Sequence, residues 1–160
     1  MDVDLVVVHS ISLPPGIFGG PAIERLFANG LDFDEHPAYE AIRGLEVSAH
    51  FLLRRTGELV QFVSCDDRAW HAGESTWRGR PGCNDCSVGI ELEGLAGGAF
   101  EAVQYRELVL LLGDLVARYP ITDIAGHEHV APGRKDDPGT GFDWPRLRRA
   151  ARRYGLRLPP

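Results

Sequence analysis

Short apolar runs, separated by stretches rich in glycine and proline, dominate the first half of the chain. Residues 5–8 (LVVV) form a β-branched run that predicts a buried strand, and this strand delivers His9 at its end. The following residues 10–21 (SISLPPGIFGGP) predict a loop. Residues 22–29 predict a short helix that ends near Gly30.

The middle of the chain carries the pattern of a hairpin and of one further strand. Residues 47–53 and 59–63 are apolar runs joined by RRTGE, whose glycine favours a tight turn. Residues 65–85 have no clear period and predict a loop. Residues 87–93 (SVGIELE) alternate strictly, with Val88, Ile90 and Leu92 on one face and Gly89, Glu91 and Glu93 on the other.

Helical periodicity appears in the second half of the chain. Apolar residues follow helical spacing across residues 101–119, and Pro120 is expected to end that helix. Residues 121–125 predict a short strand, which a polar loop follows. The last helix is expected to begin at Asp143, a good N-cap residue, and to end at Gly155.

Strands and helices are thus interspersed around one predicted hairpin, a pattern typical of a mixed sheet with helices packed on it. The length of 160 residues favours one domain over residues 1–160. We therefore expect a single α/β (α+β) domain, in which helices flank a central mixed β-sheet.

The net charge of −6 argues against general binding of nucleic acid and against adsorption to anionic lipid. The first residues, MDVDLVVVHS, contain no basic segment, and their apolar run is too short for a signal peptide or a membrane span. We therefore expect a cytoplasmic protein without nucleic-acid or membrane partners, and a monomer.

The basic residues show one marked bias, since Lys135 is the only lysine among the 17 lysines and arginines. Two explanations stay open from the sequence alone. Lys135 can be a chance survivor in an arginine-rich composition, or an ammonium group can be needed at that position.

Histidine and acidic residues follow two of the predicted strands. His9 ends the first strand, and His127 follows the strand at 121–125 and precedes the acidic pair Asp136-Asp137. Two imidazoles, a carboxylate and one position left for water are the ligands of a catalytic zinc site. The spacing alone is weak evidence, because a histidine at a strand end is more often structural, and because His129 could replace His127 as a ligand.

Two acidic side chains, Glu91 and Glu93, share one face of the strand at 87–93. If that face lines a pocket, one of the two can serve as a general base. The simpler interpretation of the pattern is a solvated strand face.

Three cysteines, Cys65, Cys83 and Cys86, do not suggest a disulfide framework, because their number is odd. The C-x-x-C spacing of Cys83 and Cys86 is a weak metal signal without a second pair. Apolar packing is the simpler role for all three. A thiol hydrolase that uses Cys86 with a histidine is an alternative from another functional class.

Several blocks of the sequence together resemble the AmpD-type N-acetylmuramoyl-L-alanine amidases, within the amidase and peptidoglycan-recognition-protein superfamily. These blocks are LVVVHSISLPPGIFGG, VSAHFLLRRTGELVQFV, RAWHAG, CNDCSVGIELEG and GHEHVAPGRKDDPG. The resemblance implies one zinc ion per chain, held by His9, His127 and Asp137. It also implies that Glu91 is the catalytic glutamate and Lys135 the catalytic lysine, and it leaves Glu93 as a structural residue.

The same resemblance implies a groove for a muropeptide, a fragment of the bacterial cell wall. The substrate-binding residues expected for it are Trp70, His71, Tyr39 and Asn84, although Trp70 and His71 can equally be structural. The implied reaction is hydrolysis of the amide bond between the lactyl group of N-acetylmuramic acid, in its 1,6-anhydro form, and L-alanine during peptidoglycan recycling. The alternatives are an amidase lysin that acts on polymeric peptidoglycan and a non-catalytic peptidoglycan-binding module.

Overall fold

The computed structural model describes residues 3–159, which fold around one five-stranded sheet. The strands in chain order are β1 (Leu5–Ile11), β2 (Phe51–Leu53), β3 (Leu59–Gln61), β4 (Thr76–Trp77), β5 (Arg80–Pro81), β6 (Ser87–Glu93) and β7 (Asp123–Gly126). The α-helices are α1 (Ala22–Phe27), α2 (Ala102–Arg118), α3 (His127–Val130) and α4 (Trp144–Ala150). Short 3₁₀ helices cover Pro37–Ile42, Cys83–Asp85 and Arg152–Tyr154.

The main sheet has the strand order β3-β2-β6-β1-β7, and β4 and β5 pair separately. Strand β6 runs parallel to β1 and to β2, and β7 runs parallel to β1. Among the described strands of the main sheet, only β3 is antiparallel, and it forms the predicted hairpin with β2. The turn between them uses Gly57 at a φ of 90°, a conformation that favours glycine. The predicted mixed sheet is confirmed.

One face of the sheet packs against α2 and α4 in the largest apolar cluster of the protein. The sheet contributes alternate residues of its two central strands to this cluster, namely Val6 and Val8 from β1 and Val88, Ile90 and Leu92 from β6. At the start of α2, Gln104 Oε1 accepts a 2.9 Å hydrogen bond from Glu101 N, and Pro120 follows the end of the helix as expected. The long apolar helix therefore covers this face.

The opposite face of the sheet is also covered, which excludes the simpler interpretation of residues 87–93 as a strand with one solvated face. All seven residues of β6 are buried. Leu5 and Val7 of β1 pack there with Ala72 and Cys83 from the segment at 65–85. A strand that lies between two covering layers is buried on both faces. The alternating residues of β6 therefore point to two different buried surroundings, and neither set points to solvent.

Two predicted loops contain more regular structure than expected. The segment at 65–85 contains β4, β5 and a 3₁₀ turn, and α3 begins at His127, directly after β7. The predicted final helix is divided into α4 and the 3₁₀ helix Arg152–Tyr154. Its N-cap is the expected Asp143, whose side chain accepts a hydrogen bond from Arg146 N. Within residues 3–159, no helix has the length and apolar character needed to cross a membrane.

Candidate metal centre and active site

The predicted metal and catalytic residues meet at the carboxyl-terminal edge of the parallel strands. His9 lies near the end of β1, and its Cα is in register with Glu91 on β6. His127 directly follows β7, and Asp137 lies in the loop after α3. Open parallel sheets bind ligands in the crevice beyond the carboxyl ends of their strands. The fold thus brings together residues that are far apart in the chain.

Three side-chain atoms converge at this edge with the spacing of ligands around one cation. His9 Nδ1 lies 3.0 Å from His127 Nδ1 and 3.2 Å from Asp137 Oδ2. His127 Nδ1 lies 3.1 Å from Asp137 Oδ1. All of these candidate ligand atoms lie within 4.8 Å of one another.

The proton on His127 shows why this cluster suits a metal ion. His127 Nε2 lies 3.1 Å from the carbonyl oxygen of Ala72, which can only accept a hydrogen bond. Nε2 therefore carries the proton of the neutral ring, and Nδ1 presents a lone pair to His9 and Asp137. Lone pairs that converge on a carboxylate need a positive charge between them, and a divalent cation supplies it.

Burial keeps the histidine ligand neutral, as metal binding requires. Burial lowers the pKa of His9 to about 4, although its contact with Asp137 opposes this shift. Burial raises the pKa of the Asp137 carboxyl, and the unprotonated Nδ1 atoms of His9 and His127 cannot donate a hydrogen bond to offset it. At neutral pH His9 is therefore a neutral imidazole, and a cation between it and Asp137 would keep the carboxylate ionised.

The loop that carries Asp137 is held by the backbone of α3. Glu128 N donates a 2.8 Å hydrogen bond to the carbonyl of Asp137, and Lys135 N donates one to the carbonyl of Ala131. His129, the alternative ligand from the sequence, is turned away from the cluster. Its Nδ1 accepts a hydrogen bond from Gly126 N at 3.0 Å.

Glu91 borders the cavity beside the cluster and has the electrostatics of a proton acceptor. Its carboxyl is buried, and burial, followed by the negative charge of Asp137, raises its pKa well above the usual value. The positive charge of Lys135 opposes this shift. Lys135 lines the same cavity, so an acid, an ammonium group and the metal cluster face one space.

Glu93, the other acidic residue of β6, is structural. It is buried and pairs with Arg54 at 3.1 Å. Its carboxylate also accepts hydrogen bonds from Gly19 N at 2.6 Å and from Arg55 N at 3.1 Å. All of these contacts tie the loop before α1 and the β2–β3 turn to β6.

The cavity above the cluster has a volume of about 370 Å³, within the usual range for small-ligand sites. Its floor is polar and contains His9, His127, Asp137 and Glu91. Its flanks are apolar and come from three loops, through Leu13, Pro15, Leu45, Val47 and Leu95. These flanks carried no signal in the sequence, because isolated apolar residues in loops have no period.

The four residues expected to bind substrate occupy different places. His71 lines the cavity, and its Nδ1 lies 2.9 Å from His9 Nε2. Trp70 is 56% exposed and borders a neighbouring hollow that shares Val47 with the cavity. The structure therefore keeps Trp70 available to a ligand and gives His71 a contact with the candidate metal ligand His9.

Tyr39 and Asn84 do not match the expectation of direct substrate contact. Tyr39 is buried in the cluster of α1, with Leu26 and Leu52. Asn84 is buried below the site, where its Oδ1 accepts hydrogen bonds from His71 N at 3.1 Å and Ala72 N at 2.8 Å. Both side chains support the walls of the site and lie outside the lining of the cavity.

The cysteines offer no nucleophile. All three are free and buried. Burial raises the pKa of the Cys86 thiol to about 11, although Arg80 opposes this shift, so the thiol stays protonated at neutral pH. The thiol-hydrolase alternative therefore lacks its thiolate, and apolar packing is the role of these side chains.

Comparison with known proteins identifies the family of this chain. The model of the N-acetylmuramoyl-L-alanine amidase family matches residues 1–140. The chain is 55% identical, over 90% of its length and 78% of the relative's, to the 1,6-anhydro-N-acetylmuramyl-L-alanine amidase AmpD of Salmonella typhimurium.

Solved structures give the same result. The crystal structure of a selenomethionine derivative of AmpD superposes with a TM-score of 0.91 at 51% identity, covering 94% of this chain and 85% of that chain. A complex of the E. coli amidase AmiD with the substrate anhydro-N-acetylmuramic acid-L-Ala-D-gamma-Glu-L-Lys superposes with a TM-score of 0.66 at 31% identity, covering 98% of this chain and 58% of that chain. The resemblance expected from the sequence blocks is thus confirmed, and the chain belongs to the N-acetylmuramoyl-L-alanine amidase family.

Proposed function

We propose that this chain is a zinc-dependent amidase that cleaves the bond between the lactyl group of N-acetylmuramic acid and L-alanine in soluble 1,6-anhydro-muropeptides. The observation that carries the proposal is the convergence of His9, His127 and Asp137 beside Glu91 in one cavity. The relatives named for this reaction match nine-tenths of the chain at about half identity, which supports the same substrate class.

The donor set and its spacing support zinc as the cation. Two imidazole nitrogens and one carboxylate, with a fourth position open, are typical of catalytic zinc. Zinc bonds of about 2.0–2.2 Å in a tetrahedral site would separate the ligand atoms by about 3.3–3.6 Å. The facing side-chain atoms of the three residues lie 3.0–3.3 Å apart, close to that spacing. A bound zinc ion lowers the pKa of its water to about 7 and polarises a carbonyl group.

Glu91 carries the protons of the reaction. Its carboxylate takes one proton from the attacking water while the water oxygen bonds to the substrate carbonyl carbon. As the carbon–nitrogen bond breaks, Glu91 returns that proton to the alanine nitrogen. The products are the muramoyl lactyl carboxylate and a peptide with a free amino terminus.

Lys135 and the cavity walls orient the substrate. The ammonium group of Lys135 faces the cavity and stabilises the negative charge on the carbonyl oxygen in the tetrahedral intermediate. The apolar flanks, including Leu45 and Leu95, contact the lactyl and alanine methyl groups. The exposed ring of Trp70 extends this surface for the sugar or the stem peptide.

A direct test measures bound zinc and follows release of the L-alanine-containing peptide from an anhydro-muropeptide. We expect one zinc per chain, loss of release after chelation, and recovery when zinc is added. A chain without zinc, or release that chelation leaves unchanged, overturns the proposal. Intact sacculi serve as the second substrate, and faster release from them would identify the polymer as the substrate instead. No release from either substrate would identify a non-catalytic binding module.

A further inference from the structure

Behind the metal cluster, a chain of hydrogen bonds runs from His9 to a backbone carbonyl. His9 Nε2 lies 2.9 Å from His71 Nδ1. His71 Nε2 lies 3.3 Å from Ser87 Oγ, and Ser87 Oγ lies 2.6 Å from the carbonyl oxygen of Cys83. His9, His71, Ser87 and Cys83 are all buried, so these contacts are largely shielded from solvent.

The hydrogen bond to Cys83 determines which atom donates and which accepts in every other hydrogen bond of this series. A carbonyl oxygen can only accept, so the single hydroxyl proton of Ser87 points to Cys83. Ser87 Oγ must then accept from His71 Nε2–H. The remaining nitrogen of the neutral His71 ring, Nδ1, therefore accepts from His9 Nε2–H. This leaves His9 Nδ1 unprotonated, and Nδ1 is the atom that faces His127 and Asp137.

The second metal histidine is fixed by the residue next to His71. The carbonyl of Ala72 accepts from His127 Nε2 and leaves its Nδ1 unprotonated as well. Asn84 Oδ1 accepts from both backbone N–H groups of this dipeptide and holds it in place. The dipeptide His71-Ala72 thus accepts hydrogen bonds from Nε2 of both histidines of the proposed metal site.

We propose that His71 and Ala72 act as positioning residues, which hold both metal histidines in the Nδ1-unprotonated tautomer before the metal arrives, with Ser87 as the group that orients His71. This inference rests on the proposed metal-dependent function. Partners of this kind set ligand tautomer and orientation, and their loss typically weakens metal affinity about 10–100-fold.

The strand beneath His71 is built to admit its ring. A Cβ atom at position 89 would overlap with the His71 imidazole, so only glycine fits under it. Gly89 N also donates to His50 Nδ1 at 2.9 Å, which keeps the backbone below the ring fixed. The position of His71 is therefore determined by the sheet and does not depend on a bound metal ion.

A matched pair of variants tests the proposal. His71→Asn keeps a hydrogen-bond acceptor where Nδ1 stands, whereas His71→Leu has a similar shape and no acceptor. Both remove the same ring, so the two variants should lose similar stability when unfolding is measured in chelator. Zinc affinity is then measured for each by competition with a chromogenic chelator. We expect about a 10–100-fold loss for His71→Leu and an affinity close to that of the unsubstituted chain for His71→Asn.

Nitrogen-15 NMR of the metal-free chain gives a second readout, which does not depend on zinc or activity. We expect His9 and His127 to carry their protons on Nε2 in the unsubstituted chain. In His71→Leu, His9 should become a mixture of tautomers, while His127, which donates to Ala72, stays unchanged as the internal control.

The two readouts separate failure of this inference from failure of the proposed function. Equal zinc affinities of the two variants, or an Nδ1-protonated His9 in the metal-free chain, would overturn the positioning role alone. Failure of the unsubstituted chain to bind zinc would overturn the proposed function and the positioning role together.

Discussion

His9 and Glu91 lie directly opposite each other on two parallel strands, with their Cα atoms in register between β1 and β6. A proposed metal ligand and the proposed proton acceptor are thus held at one edge by the hydrogen bonds of the sheet. A shift of the pairing by one residue would turn one of these side chains to the opposite face. The distance between them is therefore set by the core and not by a mobile loop.

Replacement of Glu91 by glutamine should separate metal binding from catalysis. Glutamine has nearly the same shape but cannot accept the proton from water, so we expect turnover to fall by about 10²–10⁴. Zinc content should stay at one per chain, because Glu91 is outside the ligand cluster. Peptide release and zinc content are measured on the same sample, and near-normal turnover would remove Glu91 from the mechanism.

Replacement of Lys135 by arginine tests whether a compact ammonium group is needed. The positive charge stays, but the guanidinium group is wider and planar and does not place its charge at the same point. We expect turnover to fall by about 10²–10³, as is common when one group that stabilises an oxyanion is lost. Arg106→Lys, an exposed position on α2, makes the reverse exchange and serves as the control. Full activity of Lys135→Arg would show that any cation suffices.

Zinc should stabilise the fold, and Asp137 should be required for this effect. A ligand that binds only the folded state adds about 2.7 kcal/mol at a free concentration 100 times its Kd. Zinc should therefore raise the Tm of the chain, and chelation should lower it. In Asp137→Asn we expect this shift to be small, whereas Asp136→Asn, at the exposed neighbouring carboxylate, should keep it. An equal zinc-induced shift in both variants would exclude Asp137 as a ligand.

Asp123 should contribute stability that disappears in acid. Burial alone would raise its pKa, but hydrogen bonds from Arg157, Thr122 and Arg78 outweigh burial and hold the pKa below its usual value. A group with a lowered folded-state pKa stabilises the fold above its unfolded pKa of about 3.9, and this contribution is lost as the pH falls through the folded pKa. At neutral pH, Asp123→Asn should lower the free energy of unfolding by about 1–3 kcal/mol.

The same comparison at low pH supplies the control. As the pH drops below the pKa of Asp123, the stabilities of the original chain and of Asp123→Asn should converge in urea denaturation. A difference that stays constant over the whole pH range would mean that packing, and not ionisation, explains the loss.

Most elements of the fold could be predicted from the sequence, because their periods are strong. Helix α2 and the alternating strand β6 were found near their true bounds. The burial of both faces of β6 could not be predicted, because an alternating pattern indicates that the two faces differ but does not show what covers each of them. Helix α3 was missed because its four residues are too few to display a helical period.

The site was less accessible to prediction from spacing. His9 and Asp137 are 128 residues apart, and only the pairing of β1 with β6 and β7 explains why they meet. Their assignment came from several sequence blocks together and stays a prediction, as do the cytoplasmic location and the monomeric state. Ser87 and Ala72 were overlooked, because a buried hydroxyl and a backbone carbonyl have no distinctive signature in a sequence.

The separation of His9 from Asp137 along the chain also bears on synthesis. A nascent chain that has not yet emerged beyond residue 137 contains only part of the cluster, so it cannot offer zinc the complete set of ligands. Zinc uptake at the proposed site would therefore be a late event, which follows pairing of the first strand with strands made much later. A product truncated before residue 137 would lack the complete centre, so bound zinc would mark the molecules that have been made at least to Asp137 and have paired their central strands.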